Sequence, residues 1–435
     1  MSANVSTLAR VRLGPVRRAP VAVTSLALTA SRGISGGLVM LTSVLVARAA
    51  GAPTLGLYGL AITVGLYASS VADLGVSQYL LPALGRASRE EWPTVWANVS
   101  RLAVVSSLPL VGLYALAVAA LTDGGRRTAL LAAAAWWLLV RASGYARPFF
   151  IAAERAGIEA TATVVEAAAA LGATFALLQV AHSAALAVVG LAAGAAIGFA
   201  LRVRGLRRLA VTKGRAEIGG YALARSALPY AIVALLTVVY LRIDVVLLSW
   251  LRDARELGLY QPPVRLVTAL LILPDALAAV LLVKAAGSLA DPRTKERQER
   301  ILAVGLPVGA ALVVICAAGG GPFLALTFGA EFRSAWPALS LLAATVPLAL
   351  LASVNGNALT ARGLLWPRVA CLSVAAVCAI ALGIPAISRF GYVGAAGVSV
   401  VNELVLAAAY AAVLAWRCGG RAVVVPRRVS RGTLP

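Results

Sequence analysis

Long apolar stretches alternate with short polar segments over most of the chain. Many of the stretches exceed about 18 residues, the length that an α-helix needs to cross the hydrocarbon core of a bilayer. The pattern divides into twelve such stretches, and we predict that each forms a membrane-spanning helix. These predicted spans, numbered 1 to 12, cover Thr24–Ala49, Leu55–Leu81, Ala97–Leu121, Thr128–Phe150, Gly157–Val180, Ser183–Leu201, Tyr221–Trp250, Gly258–Val283, Ile301–Phe328, Trp336–Leu359, Leu364–Ile387 and Tyr392–Trp416.

The composition agrees with this pattern. Hydrophobic residues make up 61% of the chain, the mean hydropathy is +0.89, and only 13% of the residues are charged. A soluble protein has about 25% charged residues. The chain is therefore predicted to be an all-α, polytopic membrane protein.

The charge distribution predicts the orientation in the membrane. The net charge is +22, and basic residues are several times more frequent in the segments on the side of the N-terminus than on the opposite side. Cytoplasmic segments carry this excess, so we expect a protein of the plasma membrane with both termini in the cytoplasm. Basic residues beside membrane spans indicate anionic lipid headgroups as partners, and not nucleic acid.

A tetrapeptide repeat indicates an internal duplication. The sequence LGLY occurs at Leu55–Tyr58 and again 202 positions later at Leu257–Tyr260, and the same offset joins Asp73 to Asp275. Both copies open spans that run in the same direction. The two halves are therefore expected to be parallel repeats, related by an axis along the membrane normal.

The repeat and the basic segments together predict the domain organisation. Twelve spans that divide at a basic segment into two parallel repeats are expected to form two halves of six helices each. The predicted parts are a basic cytoplasmic N-terminus (1–23), a first bundle (24–201), a basic cytoplasmic linker (202–220), a second bundle (221–416) and a basic cytoplasmic tail (417–435).

No motif in the chain indicates catalysis, a metal or a cofactor. Gly33–Gly37 matches G-x-S-x-G, but a nucleophile elbow needs a preceding strand and a triad histidine, and His182 is the only histidine. The four cysteines form no C-x-x-C pair. The same Gly33–Gly37 segment is also G-x-x-x-G, as are Gly190–Gly194 and Gly194–Gly198, and this spacing predicts close helix packing.

Charged residues inside the spans are the candidates for function. Arg32, Arg141, Arg242 and Arg265 lie deep in predicted spans, and each costs about 2.5–3.5 kcal/mol if it faces lipid. We therefore expect them to face a shared watery cavity or to pair with carboxylates; structural ion pairing is the alternative to a functional role. The candidate carboxylates are Asp73, Glu166, Asp244, Asp275 and Glu403.

Spacing and symmetry refine these expectations. Arg242 and Asp244 are two residues apart on one helix, so they point to different faces and at least one should address the cavity or another helix. Asp73 and Asp275 occupy equivalent positions of the repeat, which suits a shared gating or structural role.

Four stretches carry a resemblance to a known family: LGLYGLAITVGLYASSVADLG, LRIDVVLLSWLRDARELGLYQPPVRLV, TFGAEFRSAWPALSLLA, and the Ala-x-Arg links after spans 4 and 10. They resemble the polysaccharide transporter branch, the Wzx-like flippases, of the multidrug/oligosaccharidyl-lipid/polysaccharide (MOP) superfamily. The resemblance implies an all-α fold of two six-helix bundles around a central cavity. It also implies alternating access, in which the cavity opens to each side of the membrane in turn, with a polyprenyl-diphosphate-linked oligosaccharide or polysaccharide repeat unit as substrate. It also implies that arginines of spans 1 and 8 line the cavity.

The predicted site follows from joining this resemblance to the charges. Arg32 and Arg265 are expected to hold the diphosphate, with Arg242 and Arg141 as supports, because guanidinium groups bind phosphate through paired hydrogen bonds. Asp244, together with Asp73 and Asp275, is expected to act in coupling or gating. A polysaccharide polymerase or glycosyltransferases are expected as protein partners.

Three alternatives stay open at this stage. A multidrug cation antiporter of the same superfamily needs carboxylates at its site, which the excess of deep arginines disfavours. A membrane-embedded polysaccharide polymerase or ligase needs a larger external loop than the connections here provide. A scaffold without transport is opposed only by the cost of the buried charges.

Overall fold

The computed structural model describes residues 21–215, 220–285, 292–362 and 364–418. Within these ranges every extended regular element is an α-helix, as predicted. The helices are α1 Val21–Asp73, α2 Val76–Arg86, α3 Trp92–Leu121, α4 Gly124–Ala152, α5 Ala156–Leu178, α6 Ala184–Arg208, α7 Gly220–Leu251, α8 Ala254–Ala285, α9 Pro292–Phe328, α10 Trp336–Ala343, α11 Thr345–Ala361 and α12 Leu365–Cys418.

Two of the helices are too long for single spans, and each contains a glycine break. In α1 the break is Gly51, with φ 74°, and in α12 it is Gly391, with φ 59°. Positive φ values of this kind suit a residue without a side chain. The breaks separate predicted spans 1 and 2 in α1 and spans 11 and 12 in α12, so the described helices are compatible with twelve crossings.

Predicted span 2 is interrupted in the structure. It was expected to run unbroken to Leu81, but α1 ends at Asp73, and both Leu74 and Gly75 adopt left-handed conformations before α2 begins. The turn brings Gly75 against α7, where an added Cβ would lie 2.3 Å from the amide nitrogen of Ala231. This close approach connects the first half of the chain to the second.

The LGLY segments meet each other where α1 packs on α8. A Cβ added to Gly56 would lie 2.4 Å from the carbonyl oxygen of Ala254, and one added to Gly258 would lie 1.8 Å from that of Ala52. Ala52 and Ala254 are themselves 202 positions apart, so the contact is reciprocal. The tetrapeptide therefore recurs at a point where the backbones of the two halves are in close contact, and only glycine fits there.

The G-x-x-x-G prediction holds in one place and fails in another. Gly190, Gly194 and Gly198 of α6 all pack directly against α5, where an added Cβ would collide with Thr174, Ala170 and Glu166 respectively. In contrast, Gly33 and Gly37 have open space where a Cβ would lie. The Gly33–Gly37 motif does not serve close helix packing, because α1 borders a cavity in this region.

Candidate functional site

A first cavity lies between α1, α7 and α8; we call it the α1–α8 cavity. Its volume is about 280 Å³. Two of its described lining residues are arginines, Arg242 and Arg265, and none is a carboxylate. The lining consists of Gly36, Val39, Met40, Gly59, Ile62, Thr63, Leu66, Arg242, Gln261, Arg265, Thr268 and Ala269.

Two residues that line the α1–α8 cavity, Arg265 and Gln261, have hydrogen-bond donors without partners among the described residues. Arg265 extends over the ring of Tyr58, with its guanidinium carbon 5.2 Å from the ring centre. Its Nε, like the Nε2 of Gln261, has no hydrogen-bond partner in the described part of the chain. Buried donors of this kind are costly unless a ligand accepts from them. An anion with several acceptor oxygens fits this site.

The amide of Gln261 occupies a space that the repeat provides. Gly59 is the equivalent residue in the first half, and the side chain of Gln261 lies directly over it, 2.1 Å from where a Cβ of residue 59 would stand. Gln261 is only 4% exposed. A glycine in one half thus makes room for the polar side chain of the other.

A second cavity lies within the second half; we call it the α7–α12 cavity. Its volume is about 420 Å³. Arg242 and Thr268 line both cavities, so the two adjoin each other. The lining consists of Thr237, Tyr240, Leu241, Arg242, Asp244, Val264, Val267, Thr268, Leu271, Leu342, Thr345, Ala349, Ala352, Ser353, Arg368, Leu372, Ser399, Asn402, Glu403, Leu406 and Tyr410.

Both signs of charge are present in the α7–α12 cavity. Asp244 accepts a hydrogen bond of 2.5 Å from the hydroxyl of Tyr260, which ties α7 to α8. Arg242 and Asp244 both line this cavity and are close enough to interact electrostatically, although they are two residues apart on one helix. Arg368 and Glu403 contribute the second pair of opposite charges. The formal charges of this cavity therefore balance.

Arg32 lies on the same face of α1 as the first cavity, but outside it. It precedes Gly36 by one helical turn and Met40 by two, and both of these line the α1–α8 cavity. Its side chain is exposed, and it is near enough to Arg147 of α4 for the two charges to repel. The structure thus brings Arg242 and Arg265 together and places Arg32 beside their cavity.

Arg141 does not reach either cavity, contrary to the expectation that it supports the diphosphate site. It is 4% exposed and points from α4 to α3, where its guanidinium donates to the hydroxyl of Ser106 at 2.6 Å and to the carbonyl oxygen of Ala103 at 3.2 Å. It also donates to Ser107 and, at 2.9 Å, to Tyr145. These contacts use the guanidinium to join two helices.

The two aspartates of the repeat can be placed only in part. Asp73 is 9% exposed and ends α1, where its carboxylate accepts a 2.9 Å hydrogen bond from the hydroxyl of Ser77. Arg141 and Tyr145 lie close to it. Asp73 therefore caps the start of α2 at the helix break. The side chain of Asp275 lies outside the described part of the structure.

A buried ion cluster in the first half escaped the sequence analysis. Arg202, which the sequence placed at the start of a basic linker, lies inside α6 and is fully buried. It forms two 2.9 Å hydrogen bonds to Glu159 and one of 2.6 Å to Glu166 of α5. Glu159 also pairs with Arg147 at 3.0 Å. The sequence did contain an indication of this cluster: Glu159 and Glu166 are seven residues apart, so they share one face of a helix and can bind one cation.

Polar contacts join the halves at the end of the molecule that carries Gly51 and Gly391; we call this end the kink face. The backbone amide of Ala52 in the first half donates to Glu331 of the second half at 2.9 Å. Arg126 of the first half donates to the carbonyl oxygen of Ser249 of the second half at 2.8 Å. The halves are thus held together at the kink face.

Several solved structures share the fold of this chain. The chain is similar to a structure described as lipid II flippase MurJ in an inward closed conformation, with 14% identity, a TM-score of 0.76, and coverage of 89% of this chain and 87% of that one. A multidrug resistance MATE family transporter of the MOP superfamily, inward-facing, matches at 12% identity and a TM-score of 0.68 over 92% of this chain and 98% of that one. A MOP superfamily transporter from Pyrococcus furiosus matches with 11% identity and a TM-score of 0.64, over 92% of this chain and 96% of that one. The fold is that of MOP superfamily transporters.

The family within this class is established by sequence. Residues 22–282 match the model of the polysaccharide biosynthesis protein family, which is more than half of the chain, and the chain belongs to that family. No curated protein matches the sequence significantly. Nine helices of the described part are long and apolar enough to cross a membrane, and the protein is a multi-pass membrane protein, as the sequence analysis predicted.

Proposed function

We propose that the protein is a flippase that moves a polyprenyl-diphosphate-linked oligosaccharide or polysaccharide repeat unit across the cytoplasmic membrane. The observation that carries this proposal is the pair Arg242 and Arg265 in the α1–α8 cavity, where no described lining residue is a carboxylate. Two cations in a confined space repel each other and favour a ligand that brings negative charge. A diphosphate brings that charge and enough acceptor oxygens for both guanidiniums.

In this proposal the diphosphate binds between the two halves. Arg265 and Arg242 hold the phosphoryl oxygens, and Arg32, on the same face of α1, attracts the headgroup before it enters. The polyprenyl chain stays in the lipid, so only the polar headgroup must be shielded on its way across. Opening and closing of the two ends in turn exposes the cavity to each side, with the kink face facing outward and both termini facing the cytoplasm.

Carboxylates near the cavities are proposed to couple or gate this movement. Asp244 joins α7 to α8 through Tyr260, and both helices line the cavities. Binding of a proton or a sodium ion to Asp244 changes the charge beside Arg242 and with it the affinity for the diphosphate. Asp73 stands at the break between α1 and α2, where α2 meets the second half, and is proposed, with its repeat equivalent Asp275, to act in gating.

The same superfamily fold also serves cation antiport, and the chemistry of the first cavity argues against that function here. A cationic drug in the α1–α8 cavity would meet Arg242 and Arg265 without a compensating carboxylate among the described lining residues. We also propose that the protein performs no catalysis. In the cell a polysaccharide polymerase or glycosyltransferases are its proposed protein partners.

Transport in proteoliposomes tests the proposed function. Purified full-length protein is reconstituted with a fluorescent short-chain polyprenyl diphosphate that carries a saccharide, and the label accessible to an external quencher is followed in time. We expect the lipid to exchange between leaflets with its saccharide unchanged in mass. Transport of ethidium without movement of the lipid would favour the antiporter, and a longer or transferred saccharide would favour the polymerase or ligase.

A further inference from the structure

We infer that the α7–α12 cavity binds the saccharide of the substrate, while the diphosphate occupies the α1–α8 cavity. This inference rests on the proposed function and adds a second subsite to it. The subsite takes a neutral, polyhydroxylated group, and Asn402 and Arg368 are its principal hydrogen-bonding residues.

The two cavities are positioned to hold one continuous ligand. Arg242 and Thr268 line both of them, so the guanidinium of Arg242 stands at the junction. A glycosyl diphosphate has the same order of groups, because the sugar is bonded directly to a phosphoryl oxygen. The volumes, about 280 and 420 Å³, together fall in the range of about 300–1,000 Å³ that is usual for ligand sites.

Charge distinguishes the two cavities. The two cavities share Arg242. The α1–α8 cavity adds Arg265 and has no carboxylate among its described lining residues, whereas the α7–α12 cavity adds Arg368 and two carboxylates. Transfer of an anionic group from water into the α7–α12 cavity gains little free energy, because Asp244 and Glu403 repel it. A neutral group is not repelled there, and hydrogen bonds to the cavity can replace those that it made to water. The charged and the uncharged part of one substrate therefore have different preferred positions.

The hydrogen-bonding groups of the α7–α12 cavity point to the same ligand. In the first cavity the unpartnered groups are donors, but here an acceptor, a donor and a hydroxyl lack hydrogen-bond partners within the described chain: Oδ1 of Asn402, Nε of Arg368 and the hydroxyl of Tyr240. Asn402 is only 4% exposed, so its oxygen is shielded from bulk water. A sugar hydroxyl both donates and accepts, and can satisfy each kind of group.

The remaining contacts hold these two side chains in place. Another nitrogen of Arg368 donates to the hydroxyl of Thr360 at 2.8 Å, which fixes the arginine against α11. The ring of Tyr410 packs against Gly356, and Tyr240 lies beside Glu403 on the wall of the cavity. The hydroxyls of Thr237, Ser353 and Ser399 add further groups that can donate or accept. A polar ligand would thus find its partners already arranged.

Binding of matched probes to the full-length protein in nanodiscs tests the inference. The probes are farnesyl diphosphate and three farnesyl diphosphates that carry glucose, galactose or N-acetylglucosamine, and the result is the ratio of Kd for the bare probe to Kd for each glycosylated one. In the wild type we expect at least one glycosylated probe to bind about 5- to 10-fold more tightly, the gain from one or two neutral hydrogen bonds.

Substitutions test which residues provide this gain in affinity. Asn402→Leu keeps the size of the side chain and removes the unpartnered oxygen, so the ratio should fall close to 1 while Kd for farnesyl diphosphate stays within about twofold. Arg368→Gln should lower the ratio in the same way and covers the case in which Asn402→Leu fails to fold. Asn355→Leu is the control, because Asn355 is a buried asparagine of α11 that lines neither cavity.

The outcomes separate this inference from the proposed function. If the wild type binds farnesyl diphosphate but the ratio is 1 for all three sugars, the saccharide subsite is refuted and the diphosphate site stands. A ratio above 1 that survives both Asn402→Leu and Arg368→Gln also refutes it. If the wild type does not bind farnesyl diphosphate at all, the proposed function fails, and this inference fails with it.

Discussion

The guanidinium of Arg265 lies over the ring of Tyr58, a contact that joins α8 of the second half to α1 of the first. The repeat gives each half a fully buried tyrosine at this position, and the two tyrosines contact partners of opposite charge. Tyr58 faces a cation from the other half, whereas Tyr260 donates its hydroxyl proton to the carboxylate of Asp244 in its own half. One duplicated residue thus orients a positive group in one cavity and a negative group in the other.

The contact predicts that Tyr58 positions Arg265 without touching the substrate. Tyr58→Leu removes the ring, and we expect Kd for farnesyl diphosphate to rise about 3- to 30-fold, since a cation–π contact contributes roughly 0.5–2 kcal/mol. Tyr58→Phe keeps the ring and should stay within about threefold of the wild type. Equal binding by Tyr58→Leu and Tyr58→Phe would show that the ring does not hold Arg265.

The reciprocal glycine contact predicts how the kink face closes. Gly258→Ala places a Cβ against the backbone of Ala52, so the two halves can no longer approach there as they do in the wild type. We expect spin labels on the two halves at the kink face to report a longer mean distance and a smaller closed population. Gly37→Ala is the matched control, because that glycine has open space around it. Identical distance distributions for the two variants would contradict the role given to the LGLY segments.

The buried ion cluster predicts a variant that loses stability. Arg202→Ala leaves the buried Glu159 and the half-buried Glu166 without their common partner, and removal of one member of a buried ion pair costs about 3–5 kcal/mol. We expect little folded protein in the membrane and a lower Tm for the remainder. The double substitution Arg202→Met with Glu159→Gln should recover part of the loss, as it removes charge of both signs. Normal Tm in Arg202→Ala would show that the cluster contributes nothing to folding.

The charge pattern predicts the orientation, which labelling can determine. In a cysteine-free background, a membrane-impermeant maleimide added outside should spare Ser2→Cys and Thr433→Cys and modify Gly124→Cys. Gly124 begins α4 and connects it to α3 at the end of the molecule opposite the predicted cytoplasmic segments. Labelling of either terminus from outside would overturn the orientation.

The fold was largely predictable from the sequence because apolar runs of membrane-crossing length have few alternatives. The LGLY repeat even marked the place where the halves touch. The breaks were less predictable: the left-handed Leu74 carries no sequence signal, and its conformation depends on the packing of Gly75 against α7. Arg202 was misplaced because hydropathy assigns arginines to loops, and only tertiary structure reveals the glutamates that neutralise it.

The site was predictable in its charge and not in its geometry. Depth in the membrane singled out Arg242 and Arg265, which the structure brings to one cavity. The same criterion selected Arg141, whose hydrogen-bond acceptors are serine hydroxyls and a carbonyl oxygen on α3. Sequence depth alone cannot separate an arginine that faces a cavity from one that joins two helices, since both avoid lipid. Gln261 was missed because only charged side chains inside the spans were taken as candidates, and an amide carries no charge.

The central claim is that Arg265 binds the anionic headgroup, and the rate of lipid exchange in proteoliposomes tests it most directly. We expect Arg265→Gln to lower the rate about 10- to 100-fold, as charge-assisted hydrogen bonds contribute roughly 1.5–3 kcal/mol, and Arg265→Lys to restore it only in part, because an ammonium lacks the planar two-donor geometry. Arg101→Gln, at an exposed arginine of α3 that lines neither cavity, should exchange lipid like the wild type, with reconstituted protein matched across all variants. Wild-type exchange by correctly folded Arg265→Gln would contradict the claim.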